Sequence, residues 1–211
     1  MKKVNEGKKF EKNYENSVNS TSHFFLRLKD APKWLRGSSA TFTPENPCDG
    51  IQYAAPFLWL VELKSTKGSS ISFNPENPEE KPQNKTTQVM IKAHQVKSLM
   101  NFATKDGLIP GFIFNFRERS TKTKQYPAET FFVHITDFVN WTRNSGKSGI
   151  NRDDCRTIGF PMQTTLNKDY DICKFVDDSL PPFIRRGYLK IDFLKSVVNR
   201  LNLLTDHSKN K

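Results

Sequence analysis

The sequence predicts a mixed α/β fold in which a small central β-sheet is flanked by helices. Three observations predict it. Phe57-Leu58-Trp59-Leu60-Val61, Gly111–Phe116 and Phe131–Ile135 are short apolar runs rich in aromatic and branched residues, as expected of strands covered on both faces. Other apolar residues recur at helical spacing before, between and after these runs. The intervening segments are polar and carry proline or glycine. Strands and helices in such an order pack as layers around one core.

The elements follow in order. Phe10, Tyr14 and Val18 stand at i, i+4 and i+8 and predict a one-sided helix from Gly7 to about Ser20. His23 to Thr43 is aromatic and basic, and Pro32 and Gly37-Ser38-Ser39 break it into short pieces. Asp49–Tyr53 and Phe57–Lys64 read as two strands joined by Ala54-Ala55-Pro56. Ser65–Thr87, with Pro75, Pro78 and Pro82, reads as a loop insertion with little to offer a core; a mobile flap and a passive surface loop are both open. Ile91, Val96, Leu99, Met100 and Ala103 mark an amphipathic helix that Gly107 ends. Arg117–Gln125 is a basic hairpin loop between two strands. Thr136–Trp141 reads as a short helix capped by Thr136 or Asp137. Asn144–Arg152 is glycine-rich and basic, and Ile191, Leu194, Val198 and Leu201 give a last helix before a polar tail. The expected organisation is one domain over residues 1–204, with 65–87 inserted and 205–211 as the tail.

Composition narrows the function classes. Hydrophobic residues make up 36% and charged residues 26% of the 211, a globular profile. The longest apolar run is far too short to span a bilayer, and the charged N-terminus lacks an apolar stretch behind it, so neither a membrane partner nor a signal peptide is expected. Cys48, Cys155 and Cys173 are odd in number and widely spaced, as in a reduced cytoplasmic protein. Neither they nor the histidines at 23, 94, 134 and 207 show zinc-ligand spacing. Lys plus Arg outnumber Asp plus Glu by 33 to 22, a net charge of +11, with a pI near 9.6. The excess fits a nucleic-acid partner; a solvated basic surface is the bland alternative.

The candidate site lies in the strand pair. Glu62 and Lys64 are two apart on one strand and therefore share a face, and the preceding turn delivers Asp49 beside them. Charges at the end of a core strand are costly unless paired or bound to a metal. Asp49 and Glu62, with the Leu63 carbonyl, form a possible ligand set for magnesium, which accepts a few protein oxygens and keeps its remaining waters. Lys64 is suited to orient a nucleophilic water or to stabilise transition-state charge. On the pattern alone, an ordinary salt bridge at a strand end remains the competing reading.

Asp49 followed by Glu62-Leu63-Lys64 on the next strand resembles the PD-(D/E)xK nuclease signature, and most of the chain resembles the RecU-type Holliday junction resolvases. Gly7-Lys8-Lys9-Phe10-Glu11 is similar to that family's glycine-led first helix with its glutamate. Lys64-Ser65-Thr66-Lys67 matches the threonine-containing turn, and His94-Gln95 matches the pair that opens a helix. Residues 146–152 and Gly187-Tyr188-Leu189-Lys190-Ile191-Asp192 match later segments. The resemblance implies a restriction-endonuclease-like core and a homodimer that cuts branched DNA by symmetric nicking with Mg2+, for which Mn2+ substitutes. It implies metal ligation by Asp49, Glu62 and Leu63, assistance from Lys64, and supporting roles for Glu11 and Gln95. An exposed helix charge at Glu11 and a polar surface residue at Gln95 are the alternatives. It also implies work in recombination, repair or phage genome processing, with recombination proteins as further partners. The alternatives are another nuclease of the same signature and a DNA-binding accessory protein with an inactive site.

The chain departs from the family at two places. Cys48 stands where the family has Thr, and the interval before Asp49 is too short for a full β-stalk, so the stalk is expected to be shortened or absent. Candidate phosphate contacts are Lys8, Lys9, Arg27, Lys33, Arg36, Lys67, Arg117, Arg119, Lys147 and Arg152. Trp34 is either a base-stacking or a core residue.

Overall fold

The computed structural model describes residues 5–28, 45–84, 86–167, 169–190, 193–196 and 198. The chain opens with α1 (Glu6–Asn19), β1 (Phe24–Arg27), β2 (Gly50–Ala54), β3 (Phe57–Thr66) and β4 (Ser70–Ser72). Then come α2 (Ala93–Phe102), β5 (Leu108–Phe116), β6 (Arg119–Ser120), β7 (Gln125–Tyr126) and β8 (Glu129–His134). It continues with α3 (Ile135–Ser145), β9 (Gly149–Asn151), α4 (Arg152–Ile158), β10 (Phe160–Pro161) and α5 (Ile172–Arg185).

Among the described residues the main sheet is six-stranded, in the order β1-β2-β3-β5-β8-β10. Its pairs are antiparallel except β3 with β5, which run parallel because α2 makes the crossover between them. The expected mixed sheet flanked by helices is the observed architecture.

Strand alternation sorts the apolar side chains into two cores. Phe57, Trp59, Val61 and Leu63 of β3 pack with Ile109 and Ile113 of β5 against α1 and α5. The α1 stripe of Phe10, Tyr14 and Val18 is buried there as its spacing predicts. Leu60 of β3 and Phe112, Phe114 and Phe116 of β5 face the other way, toward α2, α3 and α4. Glu62 lies on this second side, two residues from Leu60.

Two local expectations are corrected, and one further helix is present. The 65–87 interval contributes to the second core: β4 pairs with β9, Ile71 and Phe73 are buried, and the Phe73 ring meets Phe138 and Trp141 edge-on at 5.6 and 5.8 Å. A short Ser-Ile-Ser-Phe stretch among prolines hides this, because only its tertiary partner makes it a strand. A helix that the sequence reading does not include, α5, runs through Pro181 and Pro182. The buried face of α5 (Phe175, Val176, Phe183) supplies packing that offsets the cost of proline inside a helix. Finally, α3 is capped by His134, not by Thr136 or Asp137: the His134 Nδ1 accepts from the Thr136 N–H at 3.2 Å. Asp137 instead takes Arg186 at 2.6 Å and the Tyr188 hydroxyl.

His134 is buried and stacks on Tyr188 at 3.8 Å. Burial, reinforced by the nearby Arg186 charge, pushes its imidazole down to about 3. The unfolded chain therefore binds a proton between pH 6.5 and 3 that the folded chain refuses, and stability falls as pH falls through that window. We expect a His134 contribution of about 2 kcal/mol to the stability lost between pH 6.5 and 5. His134→Asn, which keeps a cap acceptor, should remove that part of the slope in urea titrations at the two pH values; an unchanged slope would contradict the assignment.

Candidate active site at the end of β3

Asp49 directly precedes β2 and is held by its own backbone. Its N–H donates to the Val61 carbonyl at 3.1 Å, and its carbonyl accepts from the Leu28 N–H at 2.9 Å. Gly50 pairs with Val61, so Asp49 stands beside Glu62 where the β2–β3 ladder ends. The Asp49 Oδ2 takes the free Leu63 N–H at 2.7 Å. N–H and C=O of one strand residue point to the same edge, so the Leu63 carbonyl is directed to the side occupied by Asp49. Glycine follows Asp49 for a steric reason: a Cβ at position 50 would overlap the Phe25 ring of β1.

Glu62 is 2% exposed. Its Oε1 accepts from Lys64 Nζ at 2.7 Å and from Gln95 Nε2. Gln95 sits in the first turn of α2, where its Oε1 accepts from the Lys92 N–H at 2.9 Å. That bond orients the amide so that its NH2 faces Glu62. Burial raises the Glu62 carboxyl to about 7; Lys64 opposes the rise and the Asp49 charge adds to it. Glu11, on α1, pairs with Arg27. Burial raises its carboxyl too, with Arg27 and Lys64 opposing and Asp49 adding, which puts Glu11 within electrostatic reach of the same cluster.

The structure thus brings Asp49, Glu62, Leu63, Lys64 and Gln95 together, with Glu11 at the margin. Cys48 lies outside the chemistry: it is buried in the second core, its thiol faces the Gly50 carbonyl at 3.4 Å, and burial pushes it up to about 12. It behaves as a small hydrophobe. Sequence reading missed Glu45, whose carboxylate meets His94 Nδ1 at 3.0 Å beside Gln95. No local signal links residues so far apart in the chain.

No family model matches this sequence. The SPbeta prophage-derived uncharacterized protein YotM of Bacillus subtilis (strain 168) is 36% identical over 177 residues, spanning 78% of this chain and 80% of that protein. The chain belongs to the YotM family. Among solved structures, Hjc, a Holliday junction resolvase from the archaeal hyperthermophile Archaeoglobus fulgidus, matches 72% of this chain and 93% of its own at 15% identity and a TM-score of 0.43.

In this YotM-family chain the expected phosphate contacts divide by environment. Lys8, Lys9 and Lys67 are exposed. Arg117 and Lys9 line a cleft of about 540 Å³ between α1 and the end of β5, floored by Phe10 and Tyr170. Arg27 is engaged by Glu11, and Lys147 pairs with Asp154 at 2.6 Å. Arg152 is corrected: it is 6% exposed, donates to the Arg117 carbonyl at 2.7 Å, and lies over the rings of Phe116 and Tyr126 at 5.2 and 5.5 Å. One arm of its guanidinium is held by the Arg117 and Pro127 carbonyls, at 2.7 and 3.5 Å, so the side chain is anchored inside the structure rather than extended from it. Lys33, Arg36, Trp34 and the expected place of the stalk lie outside the described residues.

Gly50→Ala tests the geometry that places Asp49. Forcing a methyl against Phe25 should cost about 1–3 kcal/mol in urea denaturation, and a loss below about 0.5 kcal/mol would contradict the close approach.

Proposed function

We propose that this protein is a divalent-metal-dependent endonuclease that resolves Holliday junctions and other branched DNA by symmetric nicking, in recombination or phage genome processing. The observation that carries the reading is the set at the end of β3. A buried Glu62, an Asp49 anchored on the Leu63 N–H, and Lys64 and Gln95 both donate or accept around one point. The prophage origin in YotM's name agrees with a phage setting.

The residues fit magnesium by donor chemistry. Among the described residues no three His, Cys, Asp or Glu side chains are grouped to hold a metal. Binding here therefore relies on two carboxylates, the Leu63 carbonyl and waters, an arrangement magnesium uses. The raised Glu62 carboxyl reports two acids crowded in a desolvated place, a cost that a cation would relieve. When bound, the metal supplies Lewis-acid polarisation of a phosphodiester and a more acidic water. Lys64 places a fixed cation where charge develops. Gln95 holds Glu62 in its rotamer, and Glu11 lies within electrostatic reach from α1.

The homodimer in this reading is supported by a row of apolar side chains across β1, β2 and β3. Phe24, Tyr53 and Leu58 are neighbours in register, and Phe24 and Tyr53 are 56% and 46% exposed. Isolated large apolar residues are ordinary on a surface, whereas an aligned row is suited to association. Sedimentation should give a two-chain mass for the native protein and a one-chain mass for Tyr53→Lys; a native monomer would remove the dimer from the proposal.

Cleavage of a synthetic four-way junction, compared with a linear duplex and a flap, tests the activity. Paired symmetric nicks are expected with Mg2+ or Mn2+ and none in chelator. Asp49→Asn and Glu62→Gln should each lose more than about a hundredfold in rate while junction binding persists, and Gln95→Ala about 10- to 100-fold. Robust nicking by the Asp49 or Glu62 variant would sink the site assignment. Preference for the linear duplex would redirect the substrate, and no cleavage with either metal would point to an inactive DNA-binding protein.

A further inference from the structure

We propose that the β6–β7 hairpin and the start of α4 form a phosphate-binding pocket, separate from the acidic site, that holds a backbone phosphodiester of the bound nucleic acid. The inference takes from the proposed function only that the partner is nucleic acid. It is built on a convergence of cations that the internal ion pairs leave partly uncompensated.

The pocket encloses about 250 Å³; Arg119, Lys124, Arg152 and Arg156 line it with Tyr126 and Ser69, and Asp153 is the one acid in its lining. Arg119 and Tyr126 are directly paired across the hairpin, so their side chains share one face. The Arg119 guanidinium lies 4.7 Å from the centre of the Tyr126 ring, Lys124 Nζ 5.1 Å and the Arg152 guanidinium 5.5 Å. One aromatic ring thus organises three cations.

Carboxylates account for only part of this charge. Glu129 takes Arg156 in a forked pair at 2.7 and 2.8 Å and also faces Arg152 at 3.4 Å. Asp153 takes the remaining arm of Arg156 at 2.5 Å. Among the described residues neither Arg119 nor Lys124 has a carboxylate partner, and the buried Nε–H of Arg119 has no acceptor. Like charges held around a concave surface repel unless an anion enters. A guanidinium stacked on a ring presents its in-plane N–H groups to a ligand, and their fork matches phosphate oxygens. A phosphodiester brings one negative charge and acceptor oxygens only, which suits the cations that Glu129 and Asp153 do not engage. The pressure on Arg152 agrees: burial lowers its affinity for a proton, and the charges of Arg119 and Arg156 lower it further against the opposing Glu129.

The pocket also lies at the right end of the sheet. Ser69 follows β3 by three residues, and the Arg117 N–H beside the hairpin donates to the Thr66 carbonyl at 2.9 Å. The hairpin is therefore joined to the end of β3 that carries Lys64, so one nucleic-acid strand can reach both places.

The test is equilibrium binding of a labelled four-way junction and a labelled single strand in chelator, across a salt series. It uses the native protein, Lys124→Gln, Arg119→Gln/Lys124→Gln, and Lys174→Gln as a charge control on α5. Lys124 is exposed, so its single variant reads the pocket even if the double variant folds poorly. The double variant should bind about tenfold more weakly and flatten the dependence of log K on log salt by about one contact. Loss per charge no greater than that of Lys174→Gln, or an unchanged salt slope, would overturn the pocket. Calorimetry with inorganic phosphate separates the sources: phosphate binding that the double variant loses while DNA affinity is kept would assign the pocket to a free anion and overturn the nucleic-acid reading. Absence of magnesium-dependent nicking with the binding difference intact would remove the nuclease and leave the pocket standing.

Discussion

The burial of Glu62 is the constraint on which the rest of the site depends. An ionised carboxylate withdrawn from water is penalised by several kcal/mol unless donors surround it. Here Lys64 and Gln95 converge on the same oxygen, and each comes with a structural requirement. Lys64 has to follow by two residues to share the face. Gln95 has to arrive from α2, which is possible because α2 makes the crossover from β3 to the parallel β5. The lowered cost is still incomplete, since Asp49 adds a second negative charge and the Glu62 carboxyl stays raised.

The two cores make that place rigid. Trp59 of β3 packs against Phe132, Phe175 and Phe183 at 5.2 to 5.5 Å on one side of the sheet. Phe112 and Phe114 stack at 5.2 Å on the other. Aromatic side chains of β3 on one face of the sheet and of β5 on the other fix the paired strands, and therefore the edge at which Leu63 meets Asp49. The β4–β9 pair extends the second core, tying the segment after the site to α3 and α4 instead of leaving it as an appendage.

The basic excess is distributed with more discrimination than its size suggests. Arg152 supports the hairpin from within, Arg156 is held by Glu129 and Asp153, Arg27 by Glu11, and Lys147 by Asp154. These cations organise structure. Among the described residues Arg119 and Lys124 have no carboxylate partner, and both lie over the ring of Tyr126. Net charge by itself does not say which cations are spent inside the structure; pairing does.

The sequence by itself determined two strands at 49–53 and 57–64, within a residue or two of the observed 50–54 and 57–66, the first helix, the common face of Glu62 and Lys64, and the proximity of Asp49, because strand periodicity and a short turn are local properties. Only the tertiary structure decided what surrounds them. Gln95 reaches Glu62, Glu11 comes within range of Asp49, and Ile71 and Phe73 become core by contacts between segments far apart in the chain. Arg152 reads in sequence like any basic loop residue and proves to be buried, since burial depends on which carbonyls and rings close over it. Local pattern sets where a side chain points along its own element; long-range packing sets what it meets there.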